Sequence, residues 1–131
     1  RDLRMIDPAL AHLGLEAMAG SKASLPKMAG VLVSALLEDP GSIRARYELL
    51  LESTRRPSLK AEAQRWRAHF IGTTELALTA AGLDDPHTAA VLVGAIMDGL
   101  TLDAILTDRS TAPELAERAA TMILDGFTVT P

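Results

Sequence analysis

The sequence has no cysteine, which excludes disulfides and thiolate metal sites. It has one Trp, one Tyr and two Phe among 131 residues. With so few aromatics, Ala, Leu and Met must fill the core, which favours close-packed helices over a β-sheet. There is no excess of positive charge: 13 Lys and Arg face 17 Asp and Glu, for a net charge of −4 at pH 7. On its own this chain is a poor nucleic-acid binder. No apolar run reaches the ~18 residues of a membrane span. No charged segment followed by an apolar one opens the chain, so no signal peptide is expected and the location expected is cytoplasmic. Catalytic signatures are missing too: no Gly-rich phosphate loop, no His-Glu pair at metal spacing, no Gly-x-Ser-x-Gly. His12, His69 and His87 fall on three separate predicted helices, without an inward acidic or His partner one turn on. Neither a metal, nor a cofactor, nor catalysis is expected.

What is present is helical patterning, in a length that suits one domain over 1–131 with a real core. The first residue is Arg1 and not Met, which reads as a fragment, a processed product or the ordered part of something longer. The organising stretch is Pro86 to Thr107. At about 100° per residue, Ala89, Val93, Ile96 and Leu100 share one face. Val91, Ala95, Leu102 and Leu106 share a second, with Gly99 bare between them. The remaining polar arc is narrow, mainly Asp98 and Thr101. A helix apolar nearly all round is buried on most sides. In so short a chain the second burial is expected against another copy.

Around it the punctuation is clear. Asp7-Pro8 starts a helix that runs to Gly20. Ser24 caps one over Leu25 to Glu38, stopped by Asp39-Pro40-Gly41. Ser42 caps the next, through about Arg55, with Ile43, Tyr47, Leu50 and Leu51 inward. Ser58 opens a long helix whose inward stripe is Leu59, Ala63, Trp66, Phe70, Thr73 and Ala77. Gly72 and Thr73-Thr74 are placed to bend it, and Ala81-Gly82 ends it. Asp85 caps the central helix, and Ala112-Pro113-Glu114 begins the last. That last helix has an apolar arc of roughly 200°, which includes Leu115, Ala119, Met122 and Ile123. The last two helices therefore both carry surplus apolar surface, which suggests a four-helix dimer interface. The fold expected is all-α, a bundle of about six helices.

The polar groups on inward faces leave alternatives open. His69 is either a helix-edge residue or a cavity donor. Thr73 and Thr74 either bond back to the preceding turn or face a ligand. Tyr47 is either a core Tyr with a satisfied hydroxyl or a ligand contact. Asp98 is either exposed or part of a helix-crossing contact, and Asp103 reaches water near the helix end. Met28, Met97 and Met122 are core filler or an adaptable apolar lining.

The run Arg44-Ala-Arg-Tyr-Glu-Leu-Leu-Leu-Glu-Ser-Thr-Arg-Arg-Pro, then Leu59, Trp66 and Phe70, Ala-Ala-Gly-Leu at 80–83 and Ile-Met-Asp-Gly-Leu at 96–100, resembles the C-terminal domain of TetR-type transcriptional regulators. The likeness extends from about Leu25 to Phe127. It implies an all-helical ligand-binding and dimerisation domain. The last two long helices would form the dimer, and an N-terminal helix-turn-helix outside this sequence would bind DNA. Stripe geometry then suggests a cavity for a small apolar or amphipathic effector at Met28, Leu32, Tyr47, Leu50, Trp66, His69, Phe70, Thr73 and Met97. It suggests a homodimer face at Val91, Ala95, Gly99, Leu102, Leu106, Leu115, Ala119, Met122 and Ile123. The rival readings are a stand-alone helical interaction module and, further off, a small helix-bundle enzyme.

Overall fold

A computed structural model describes residues 22–128, and all its regular structure is helical. A 3-10 turn over Lys22–Ser24 leads into α1 (Leu25–Leu37), α2 (Pro40–Ser53), α3 (Pro57–Ala80), α4 (Pro86–Leu106) and α5 (Ala112–Gly126). The expected helix over 7–20 lies outside the described residues, which leaves five α-helices where about six were expected.

Each of the five carries a proline in its first two positions. Proline lacks an N–H that the first turn could not use, and its φ suits a helix start. Three starts differ from the sequence reading. Asp39, not Ser42, caps α2. Its carboxylate accepts from the Ser42 N–H at 3.2 Å and from the Ser42 hydroxyl at 2.6 Å. The Ser42 hydroxyl, followed by the backbone N–H, holds the Asp39 carboxyl below its ordinary pKa. α3 begins at Pro57 rather than Ser58, with Arg56 extended before it. Ser24 holds the N-cap position of α1 but makes no side-chain cap; its hydroxyl points at the Met28 sulfur, 4.0 Å away. Asp85 does cap α4, accepting from the Thr88 N–H at 3.3 Å.

Gly72, Thr73 and Thr74 do not interrupt α3, which is helical throughout 57–80. It ends at Gly82, whose φ of +85° suits only glycine well. The Leu83 N–H returns to Leu78 O and the Gly82 N–H to Thr79 O, while Leu78 and Leu83 pack together in the core. That is the Schellman arrangement with its hydrophobic contact.

α1 and α5 pack most extensively, and closely: a Cβ on Gly30 would fall 2.8 Å from Glu117 Cγ and 3.1 Å from Pro113 O. α4 packs on α3 and on α5, and α2 lies on α3. One core cluster centres on Val33, Leu37, Ile43, Met97 and Ala104, and a second on Leu78, Leu83, Ala89, Ala90 and Leu124. Arg109 donates to Leu37 O at 3.1 Å, so the α4–α5 loop satisfies a carbonyl at the end of α1.

On α4 the buried face is Ala89, Ala90, Gly94, Met97, Thr101 and Ala104. Thr101 was expected on the polar arc, yet it is 1% exposed. Its hydroxyl bonds to Met97 O at 2.9 Å, one turn back, so burial leaves no unmade hydrogen bond. α4 is also the one described helix long and apolar enough to cross a membrane, because charges break its run without lowering its mean hydropathy, 1.8, below that needed. A third of that stretch is buried in the single chain, and its Asp98 pairs with Arg46 on α2.

Candidate functional site

Residues of four helices line a half-open cavity of about 110 Å³. α1 contributes Met28 and Leu32, α3 Phe70 and Thr73, α4 Met97 and α5 Ile123. The lining is almost wholly apolar; Thr73 and Thr74 supply its hydroxyls. This is smaller than the ~150 Å³ dry cavity known to hold benzene, so what it offers is an apolar lining for a small group or part of a chain.

Beside it, at the crossing of α2, α3 and α4, lies a polar cluster. Arg46 is 6% exposed. Its guanidinium lies 4.4 Å from the centre of the Trp66 ring and 4.7 Å from that of Tyr47. Cation–π attraction of this kind contributes about 0.5–2 kcal/mol, more where water is excluded. Nη2 lies 3.6 Å from Asp98 Oδ1, an ion pair rather than a short hydrogen bond. The Tyr47 hydroxyl sits 2.7 Å from Thr101 Oγ1, 3.1 Å from Asp98 O and 3.2 Å from Asp98 Oδ1. Arg46 Nε, Arg46 Nη1 and Trp66 Nε1 are buried with no hydrogen-bond partner among the described residues.

Burial pushes the Tyr47 phenol above its ordinary pKa, and the Asp98 charge adds to that; the Thr101 hydrogen bond and the Arg46 charge oppose it. The folded state thus keeps the phenolic proton to higher pH than the unfolded chain does. The resulting stability is fully present below about pH 10 and is lost as pH rises through the folded pKa. Tyr47 is the sole tyrosine. A near-ultraviolet absorbance titration is therefore expected to give one phenolate step with its midpoint above 10.0. A midpoint at or below that value would mean the hydroxyl is open to water.

The outward face of α4 carries Leu92, Ala95, Gly99, Leu102 and Leu106, all exposed and spaced alternately by three and four residues. On α5, Leu115, Ala119 and Met122 continue the pattern. Exposure reaches 73% at both Leu106 and Met122. Single exposed leucines are ordinary, but here two adjacent helices carry apolar stripes at regular helical spacing.

A family model described as "Tetracyclin repressor-like, C-terminal domain" matches residues 21–126. The chain belongs to this family. No match is found among curated proteins or among solved structures.

Within this TetR-like domain, five residues expected to line a cavity do line it: Met28, Leu32, Phe70, Thr73 and Met97. The other four do not. Trp66 borders two neighbouring spaces, and Leu50 borders the outer of these. Tyr47 is half-buried in the polar cluster, and His69 is exposed on the far side of α3. Of the residues expected on the outer face, Ala95, Gly99, Leu102, Leu106, Leu115 and Met122 are exposed, while Val91 and Ala119 are half-buried. Ile123 turns inward and lines the cavity. Asp98 is neither simply exposed nor buried: its side chain is 44% exposed and crosses to Arg46. Arg46 itself escaped the sequence reading. A signal existed, since it follows the inward Ile43 by three residues and precedes Leu50 by four.

Proposed function

We propose that residues 1–131 form one domain, the effector-binding and dimerisation domain of a TetR-like transcriptional regulator. A small apolar or amphipathic molecule binds between α1, α3, α4 and α5, and DNA is contacted through an N-terminal helix-turn-helix outside this sequence. Family membership carries the reading, with a cytoplasmic location and no catalysis. One observation supports its mechanism: α4 and α5 each present an inner face to the cavity and an apolar outer stripe that is exposed in the single chain.

A ligand that fits one arrangement of these helices better than another therefore biases the angle between the two subunits. The shift can be no larger than the difference in its affinity for the two arrangements, typically ~1–3 kcal/mol. A packed interior would have favoured the ligand-free interaction module; the cavity supports a ligand. Light scattering over a range of protein concentrations tests the dimer, and Trp66 fluorescence during titration with short apolar molecules tests the cavity. A dimer whose Trp66 emission saturates with ligand is expected. A monomer at every concentration would remove the coupling device.

A further inference from the structure

Resting on the effector-binding reading, we propose that the ligand is an amphipathic carboxylate, its acid group held at Arg46 and Trp66 and its apolar tail in the cavity beyond Phe70. Three observations carry this.

The first is the orphaned donors. Arg46 is a permanently charged group more than nine-tenths buried, and two of its three nitrogens have no partner among the described residues. Its one countercharge among the described residues, Asp98, is 3.6 Å away, is shared with the Tyr47 hydroxyl and is itself partly in water. Trp66 Nε1 adds another unmet N–H. Buried donors left unmade are costly, most of all on a charged group. Water would satisfy the hydrogen bonds but not the charge; a carboxylate does both.

The second is adjacent space. Arg46 and Trp66 border a pocket of about 30 Å³. About 10–15 Å³ by this measure holds one water, so the pocket has room for roughly the two oxygens of a carboxylate. Leu32, Phe70 and Met97 line both this pocket and the apolar cavity, so a single wall divides them. In that wall the Phe70 ring lies against the bare backbone of Gly94, where a Cβ would be 3.2 Å from Cε2. The ring therefore has no side chain from that position of α4 to block a change of rotamer.

The third is charge. Outward, the pocket shares Trp66, Arg67 and Asp98 with a cleft of about 350 Å³ that also holds Lys60. Across the two spaces the charged lining is Arg46, Arg67 and Lys60 against one carboxylate, Asp98, in a chain of net charge −4. A local reversal of sign of this kind attracts anions.

The test compares octanoate, 1-octanol and octylammonium by calorimetry on the whole chain at pH 7, with Trp66 fluorescence alongside. Octanoate is expected to bind about 10- to 100-fold more tightly than octanol, the range for hydrogen bonds to a charged partner, and octylammonium not to bind. Arg46→Met should bring octanoate binding down to that of octanol, and Arg46→Lys should restore part of the advantage. Equal binding of octanoate and octanol by the wild-type chain would overturn the acid site while leaving the cavity reading intact. No binding by any of the three would overturn both. The wild-type comparison needs no variant, so it decides the matter even if Arg46→Met does not fold.

Discussion

Leu106→Glu combined with Met122→Glu is expected to hold the protein as a monomer under conditions where the proposed wild-type dimer forms. Both side chains are 73% exposed in the single chain, so neither change removes internal packing. In a two-fold interface each substitution occurs twice, on the same self-complementary patch. Four large apolar side chains are then lost from the seam. At about 1.5 kcal/mol each, the low end for a buried Leu or Met, the dimer weakens by some four orders of magnitude. The introduced carboxylates add repulsion in a chain already at −4. Leu76→Glu on α3 is the control: Leu76 is also 57% exposed, but it lies on neither α4 nor α5. Light scattering should report half the mass for the double variant and an unchanged mass for the control. Helical circular dichroism should stay the same, with melting lowered by the lost mass action alone. A dimeric double variant, or dissociation by Leu76→Glu, would place the interface elsewhere.

The parts of this fold that were legible in the sequence were those governed by local chemistry. Prolines and the Asp85 cap mark helix starts because a first turn has free N–H groups and a fixed φ. Gly82 marks an end because only it takes φ of +85° without strain. Phase around each helix was harder to read. On α2 the expected inward stripe included Leu51, which is 68% exposed, and passed over Arg46, which is 6% exposed. Hydropathy sorts arginine outward. Here the rings of Tyr47 and Trp66 take the guanidinium between α2 and α3, and that pairing depends on how two helices cross. Thr101 was misplaced for a related reason, since its hydroxyl is satisfied within its own helix. Ile123 sits where the apolar arc of α5 turns from the outer stripe to the cavity, and arc width alone does not say which side a boundary residue joins. The cavity is a gap left by side chains of four helices, so a sequence can suggest its walls but not its extent.

The orientation of α2 yields the second large effect. Ile43→Ala is expected to cost about 2–5 kcal/mol, and Leu51→Ala less than about 0.5 kcal/mol, although both positions read as core from the sequence. Ile43 is 1% exposed and belongs to the cluster of Val33, Leu37, Met97 and Ala104, so truncation leaves a space among side chains from three helices. Against a typical total of about 5–15 kcal/mol this is a large fraction, and the melting temperature should fall on the order of 10 °C. Leu51 leaves only a smaller exposed side chain. The pair also reports on the polar cluster. Arg46 lies one turn beyond Ile43 on the same face, and its place beside Trp66 depends on how firmly α2 is seated. Well below its melting temperature, Ile43→Ala should therefore shift the Trp66 emission, while Leu51→Ala should not. Equal losses of stability at the two positions would mean that α2 docks by a different face, and that Arg46 is not held between the rings.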